Sequence, residues 1–356
     1  MQPFAGRAAV AGIGMTPLTR NSGRTELELA ADAARAACAD AGIAPREVDC
    51  VLSYHMNDSA PVVQVARALG IERLGWHNDI AGGGTQTASI LGDAAMLIHA
   101  GLARNVLVYR ALNGRSGRRM NVVSTGPQER FTYGLAGPIP MFALAATRYL
   151  HDTGLTAEHL HAVVAQSREN AATNPRALRR EPLTLADYLS RPYVCTPLRT
   201  ADCCQETDGA CALLVSGVLD GPRVRAVVRG GGPGCSSMDR APDVTAVFSA
   251  YVAPMLWEAS GLRPSDVDVA LLYDAYSWLV PRQLEDFGLA GRAELGTYLL
   301  ERRHAWVNPH GGLLSEGYVH GLNNVAQAVR ELRAGREVAL VTGFGGSYGS
   351  AALLTR

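Results

Sequence analysis

The stretch "GIAPREVDCVL" (residues 42–52) returns as "GLRPSDVDVAL" (residues 261–271), with Gly, Pro, Val and Asp in register and the other positions exchanged largely for their own kind. Each copy reads as a helix end, a glycine stop, a Pro-initiated turn and then a buried strand. Working outward, "HAGLARNVLVYRAL" (99–112) pairs with "RAGREVALVTGF" (333–344), and "GACALLVS" (209–216) pairs with "GSAALLTR" (349–356). The opening strand "RAAVAGIGM" (7–15) has its counterpart in "VRAVVRGGG" (224–232). Matches that keep their order along a chain mark a duplication. The chain is therefore read as two copies of one α/β unit, residues 1–220 and 221–356.

The runs "NVLVYRA" and "VALVTGF" are short, β-branched and continuous, as strands buried on both faces are. "TQTASILGDAAMLIHAG" and "GLNNVAQAVRELRAG" read as Ala-rich helices, and the first, almost uncharged, belongs between layers rather than on a surface. Two such units stack naturally as five layers: helix, sheet, central helices, sheet, helix. The first copy also carries an insertion, from about 113 to 192, rich in Arg, Pro and Gly. Long insertions on a rigid scaffold commonly build binding surfaces. Within it, "GLTAEHLHAVV" (154–164) is either a third, looser copy of the motif or a recurrent helix-to-turn sequence.

Composition removes several function classes. Lys plus Arg is 33 and Asp plus Glu is 33 in 356 residues, so no basic excess argues for nucleic acid or a membrane surface. There is no apolar run of roughly eighteen residues, and "MQPFAGRAAVAGIGM" lacks the charged, apolar, small-residue order of a signal peptide. A cytoplasmic location is expected. Seven scattered cysteines without a C-x-x-C pair indicate neither a disulfide framework nor a zinc site. Adjacent Cys203 and Cys204 read as small buried hydrophobes.

The segment "DIAGGGTQTASILG" (79–92) sets Gly82, Gly83 and Gly84 at the mouth of the first buried helix. Glycines there let another molecule approach the backbone, and free N–H groups at a helix start receive negative charge. An oxyanion loop is one reading. A tightly packed turn is the other.

Taken with the two-copy layout, "YDAYSWLVPRQLEDFGL" (273–289), "VNPHGGLLSEGYVHGLNNVAQ" (307–327), "DCCQETDGACALLVSG" (202–217) and "YRALNGRSGRRM" (109–120) resemble the thiolase superfamily. The resemblance is closest to its sterol-carrier-protein X and lipid-transfer-protein branch and covers essentially the whole chain. It implies a nucleophilic cysteine at the mouth of the first buried helix, a Gly-His-Pro histidine in the second half and another cysteine in the last Gly-rich loop. None of these stands here. Gly82, or a neighbouring glycine, takes the nucleophile's place, and in "SEGYVHG" Tyr318 and Val319 take those of His and Pro. Gly343 falls near the second cysteine, and Tyr273 stands where Asn or His usually opens its segment. The pattern resembles the steroid side-chain retro-aldolases of that branch, which lack the cysteines and use paired tyrosines on β-hydroxyacyl-CoA substrates.

On that resemblance Tyr318 and Tyr348 form the acid–base pair in one pocket, with Tyr318 made more acidic by the helix starting near Gly321 or by a nearby cation. His320 donates to the thioester oxygen, polarises Tyr318, or merely packs. Asp274 orients a pocket group or caps a turn. Gly82, Gly83 and Gly84 form the oxyanion loop. Arg115, Arg118 and Arg119 meet the phosphates of coenzyme A, or are a solvated face, and Arg179 and Arg180 have the same two readings. The resemblance further implies a CoA thioester as substrate, no metal or organic cofactor of the chain's own, a homodimer, and a small partner with an OB-like fold and a zinc ribbon that holds any zinc. Two other classes stay open: an acyltransferase using Cys203 or Cys204, and a non-catalytic lipid or acyl-CoA binding subunit.

Overall fold

Strand β1 (Ala9–Met15) opens the first copy and leads to helix α1 (Glu26–Asp40). Thr25 starts α1 with a reciprocal cap: its hydroxyl accepts from the Glu28 N–H, and the Glu28 carboxylate accepts from the Thr25 N–H at 2.9 Å. Then come β2 (Cys50–His55), α2 (Val62–Ala68), β3 (Trp76–Ala81), α3 (Ser89–His99) and β4 (Asn105–Asn113). The computed structural model describes all residues except 118–128, 136, 234–237 and 239–240.

Between β4 and the next long strand the insertion folds as α4 (Glu129–Thr132), α5 (Ile139–Thr153), α6 (Ala157–Ala171) and α7 (Leu185–Ser190), closed by a small hairpin of β5 (Tyr193–Cys195) and β6 (Leu198–Arg199). It therefore runs a little beyond Pro192. The "GLTAEHLHAVV" echo is a capped helix: Gly154 ends α5 at φ 71°, and α6 follows with no strand behind it. β7 (Asp208–Ser216) completes the first set of strands.

The second set comprises β8 (Arg223–Gly231), α8 (Phe248–Ser260), β9 (Val269–Leu271), α9 (Leu279–Asp286), α10 (Leu295–Leu300), α11 (Gly312–Ser315), α12 (Leu322–Arg333), β10 (Val338–Phe344) and β11 (Tyr348–Thr355). The strands lie in the order β3-β2-β4-β7-β1-β8-β11-β10-β9. Reading outward from the β1–β8 junction, each side gives the same sequence of strands, and an isolated parallel bridge between Ala270 and Val307 stands where β3 stands in the first copy. β7 and β10 are buried along their whole length, and β4 all but Asn113 at its end, which their apolar runs require.

The layers follow from what each helix covers. α1 packs on β1, β7 and β4; α8 packs on β8 and β11. α3 and α12 lie between, α3 touching β4 and β8 and α12 touching β9, β10, β7 and β1. One core cluster fills this central space, with Ile90, Leu91, Ala94, Val325 and Val329 among its fully buried members. Among the described residues no helix is long and apolar enough to cross a membrane.

Both central helices start at the same end of the sandwich, where the glycine turn and the loop before α12 meet. The Thr87 hydroxyl bridges them, bonded to the carbonyls of Gly84 (2.8 Å) and His320 (2.6 Å).

Candidate active site

The glycine turn is built around a phenol. A Cβ at Gly84 would collide with the hydroxyl and ring of Tyr273, and a Cβ at Gly343 would collide with the Gly84 carbonyl. No side chain, cysteine included, fits at either place. Tyr273 comes off the end of β9 and its backbone closes a ring of three hydrogen bonds: its N–H donates to Thr342 Oγ1 (2.8 Å), Thr342 donates to Gln283 Oε1 (2.6 Å), and Gln283 Nε2 donates to the Tyr273 carbonyl (3.0 Å). Its hydroxyl donates to the hydroxyl of Tyr318 at 2.8 Å. Tyr318 is pinned by its backbone, with Thr207 Oγ1 donating to its carbonyl (2.8 Å) and accepting from its N–H (3.1 Å).

Gly83 differs from its neighbour. A Cβ there would meet His320 Cε1 and Met56 Sδ at 3.4 Å and His320 Nε2 at 3.5 Å, ordinary contact distances, so a methyl would lie against the imidazole without a clash. The N–H groups of Gly83 and Gly84 have no acceptor among the described residues. Gly84→Ala is accordingly expected to lower the melting temperature, by about 1–3 kcal/mol of stability or more from overpacking, and to displace Tyr273. Gly83→Ala is expected to melt like the unmodified protein yet lose about tenfold or more in turnover, because its methyl stands where substrate must approach. Thermal melts and rates on both variants check this contrast.

His320 adopts φ 44°, unusual for a non-glycine residue, and its carbonyl takes hydrogen bonds from the Tyr54 (2.9 Å) and Thr87 hydroxyls. Arg110 of β4, wholly buried, places Nε 3.1 Å and Nη2 2.8 Å from His320 Nδ1. Its Nη2 also pairs with Asp58 at 2.7 Å. A guanidinium only donates, so Nδ1 is the acceptor and the ring proton sits on Nε2. Burial and the Arg110 charge push the His320 ring down to about 3, against the opposing pull of Asp58. His320 is thus a neutral donor whose Nε2–H lies beside the Gly83 turn. Burial works against the Asp58 carboxylate, but Arg110 and the other groups around it outweigh that cost and hold it below its ordinary range.

The structure revises several sequence expectations. The phenol that meets Tyr318 is Tyr273, not Tyr348. Tyr348 begins β11 with 44% of its surface exposed against 9% for Tyr318, and its hydroxyl has no partner among the described residues. Tyr318 is not acidified: burial and the nearby Cys204 push it well above the usual tyrosine value, only partly offset by the Tyr273 hydrogen bond. Asp274 is a cap. Its carboxylate accepts from the Leu313 (2.8 Å) and Leu314 (3.3 Å) N–H groups at the start of α11, and burial raises it to about 7. Arg115 is exposed and contributes its backbone N–H to Asp208 at 3.0 Å; Arg118 and Arg119 lie outside the described residues. Arg179 is half-buried beside Arg191 and Arg20, whereas Arg180 is exposed. Burial pushes the Cys203 thiol up to about 12 and Cys204 well above its usual value, so neither is a ready thiolate.

Sequence reasoning passed over Tyr273, Arg110 and Asp58. The signal for Tyr273 was its position, a hydroxyl-bearing residue in place of the usual Asn or His. For Arg110 it was a single cation in the apolar strand "NVLVYRAL", which burial forces to find partners. The insertion adds an apolar wall beside the phenols: Phe142 of α5 packs on Tyr276 (5.1 Å) and Phe344 (4.9 Å), and Phe344 packs on Tyr273 (6.1 Å).

Known proteins share this architecture. Residues 234–354 match the thiolase C-terminal domain-like family. The chain is 37% identical to the 17-hydroxy-3-oxo-4-pregnene-20-carboxyl-CoA lyase of Mycobacterium tuberculosis, over 95% of this chain and 96% of that protein. It is 36% identical to the steroid side-chain-cleaving aldolase of Thermomonospora curvata, over 94% of this chain and 92% of that one. The solved structure of an Ltp2-ChsH2(DUF35) aldolase is similar with a TM-score of 0.92 and 34% identity, covering 99% of each chain.

Proposed function

The chain belongs to the lipid-transfer-protein branch of the thiolase superfamily, and from that premise we propose that it is a carbon–carbon lyase cleaving a β-hydroxyacyl-CoA of steroid side-chain type by retro-aldol chemistry. The observation that carries this reading is the Tyr273–Tyr318 hydrogen bond, set against a glycine turn that has no room for a cysteine at 84 or 343.

Retro-aldol cleavage is proton-neutral, and that suits buried phenols. The β-hydroxyl gives its proton to Tyr318 Oη as the Cα–Cβ bond breaks and the Cβ carbonyl forms, while Tyr318 yields its own phenolic proton on the Cα side, so that its oxygen never holds two protons. Tyr273, donating to the same oxygen, supports the negative charge that builds there as the Tyr318 proton leaves. The bonding pair moves onto Cα and the thioester oxygen as an enolate, which His320 Nε2–H and the Gly83 and Gly84 N–H groups stabilise. The phenol pair then returns one proton to Cα. One proton leaves oxygen and one arrives at carbon, so no lasting phenolate is needed and a high phenol pKa is no obstacle.

The aromatic wall of Phe142, Tyr276 and Phe344 supports an acyl group with a broad apolar body. A CoA thioester as substrate is supported by the lyase relatives. The pairing in the Ltp2-ChsH2(DUF35) aldolase supports a heteromeric complex with a small OB-fold and zinc-ribbon partner, which would hold any zinc. A homodimer is supported by β3, an edge strand exposed along most of its length, whose free backbone can extend the sheet into a second copy. The six cysteines among the described residues are free thiols, which fits a reducing, cytoplasmic location.

The acyltransferase alternative needs a thiolate, and burial denies one to Cys203 and Cys204. Treatment with iodoacetamide at neutral pH is therefore expected to leave lyase turnover intact. Ketone or aldehyde release from a steroid-type β-hydroxyacyl-CoA by the chain co-expressed with a DUF35-type partner supports the assignment. Thiol-dependent acyl transfer, or binding without turnover, sinks it.

A further inference from the structure

His320 faces the Gly83 turn only through Nε2, and whether that atom carries a proton depends on what holds the rest of the ring. β4 supplies Arg110, with two guanidinium nitrogens on Nδ1 and a third, Nη1, donating to the Ala111 carbonyl at 2.7 Å. The loop after β2 supplies Asp58, paired to Arg110 at 2.7 Å and accepting from the Met56 N–H at 2.9 Å. β2 supplies Tyr54, whose hydroxyl takes the His320 carbonyl and whose ring lies 5.8 Å from the Arg110 guanidinium. The Tyr318 ring stands edge-on at 4.9 Å. Among the described residues, these are the titratable and charged groups facing the imidazole. A wholly buried arginine inside an apolar strand is costly to keep.

We propose that Arg110, itself held by Asp58, is a positioning residue for the cleavage reaction: it fixes the Nε2–H tautomer of His320 and keeps the ring neutral, so that His320 always meets the thioester oxygen as a donor. Its use in catalysis rests on the retro-aldol reading; its geometry does not. Without the guanidinium, Nδ1 can carry the proton and donate to Asp58, leaving Nε2 with a lone pair that repels the thioester oxygen. The ring's pKa also rises, because a repelling cation is gone and Asp58 is unopposed. Falling pH then protonates the ring and restores Nε2–H.

Two measurements on the full chain test this. Nitrogen NMR of histidine-labelled protein, with His320→Gln to assign the signal, is expected to report Nε2 protonated and Nδ1 bare from pH 5 to pH 9, unchanged in Asp58→Asn. The opposite tautomer, or titration of that ring near neutrality in either protein, overturns the proposal whether or not any thioester is cleaved. In turnover, Arg110→Met is expected to lose roughly 10²- to 10³-fold at pH 8, the effect of losing an oxyanion donor, and to recover as pH falls toward 5. Merely structural damage depresses the rate equally at every pH, and that flat profile also overturns it.

Discussion

Tyr318→Phe is expected to lose about a thousandfold in kcat/KM for β-hydroxyacyl-CoA cleavage, within the range for a positioned acid–base group. The variant should remain folded, because Tyr318 is placed by the two Thr207 hydrogen bonds to its backbone rather than by its hydroxyl. Its structural cost is one buried donor, the Tyr273 hydroxyl, left without its acceptor, worth about 1–3 kcal/mol. Tyr273→Phe should lose a comparable factor. The double variant should be little worse than either single one, because the two phenols share one hydrogen bond and act as a unit. Tyr348→Phe should be much milder, its ring being half exposed. Steady-state kinetics with a thermal melt on each variant separates chemistry from folding. A mild Tyr318→Phe beside a severe Tyr348→Phe would return the acid–base role to the head of β11.

His320→Ala is expected to lower kcat by roughly 10²- to 10³-fold, the cost of one donor aimed at a developing oxyanion. Alanine at φ 44° also carries a backbone penalty of about 1–2 kcal/mol. His320→Asn is the control, since asparagine tolerates that backbone but its short amide does not reach the position of Nε2. Both variants should lose turnover alike and both lose the Nδ1 acceptor of Arg110, while the alanine protein melts earlier than the asparagine protein by that backbone penalty. If the asparagine protein kept full activity, the imidazole would be a packing group and the Gly83 and Gly84 N–H groups would carry the oxyanion alone.

The architecture was legible because its grammar is local and repeated. A glycine stop, a proline turn and a continuous apolar run occur at matching places in both copies, and each run became a strand at the matching place in the sheet. The glycine turn and Tyr318 were legible for the same reason, each being tied to the start of a central helix. The partner of Tyr318 was not. Side chains alternate faces along a strand, and at the head of β11 it is Gly349 that is buried while Tyr348 looks outward. A Gly-rich approach hides that parity. Tyr273 sits 45 residues from Tyr318 in sequence and reaches it because α12, which Tyr318 leads into, packs on β9, a long-range contact. The direction of the Tyr318 shift was misjudged for a related reason. A helix start and a nearby cation were weighed without the burial that outweighs them. Asp274 had two readings, and the nearby α11 N–H groups decide for the cap.

The central claim is that a hydrogen-bonded pair of neutral phenols replaces the covalent chemistry of a thiol. It is tested most directly by a single turnover of a steroid-type β-hydroxyacyl-CoA with no free coenzyme A present, run in deuterated water and followed by intact-protein mass spectrometry. The account predicts ketone or aldehyde and shortened acyl-CoA in equal amounts, one deuterium at Cα of the acyl product, and a protein mass that never changes. A requirement for free coenzyme A, or an acyl group gained by the protein during the turnover, would contradict it.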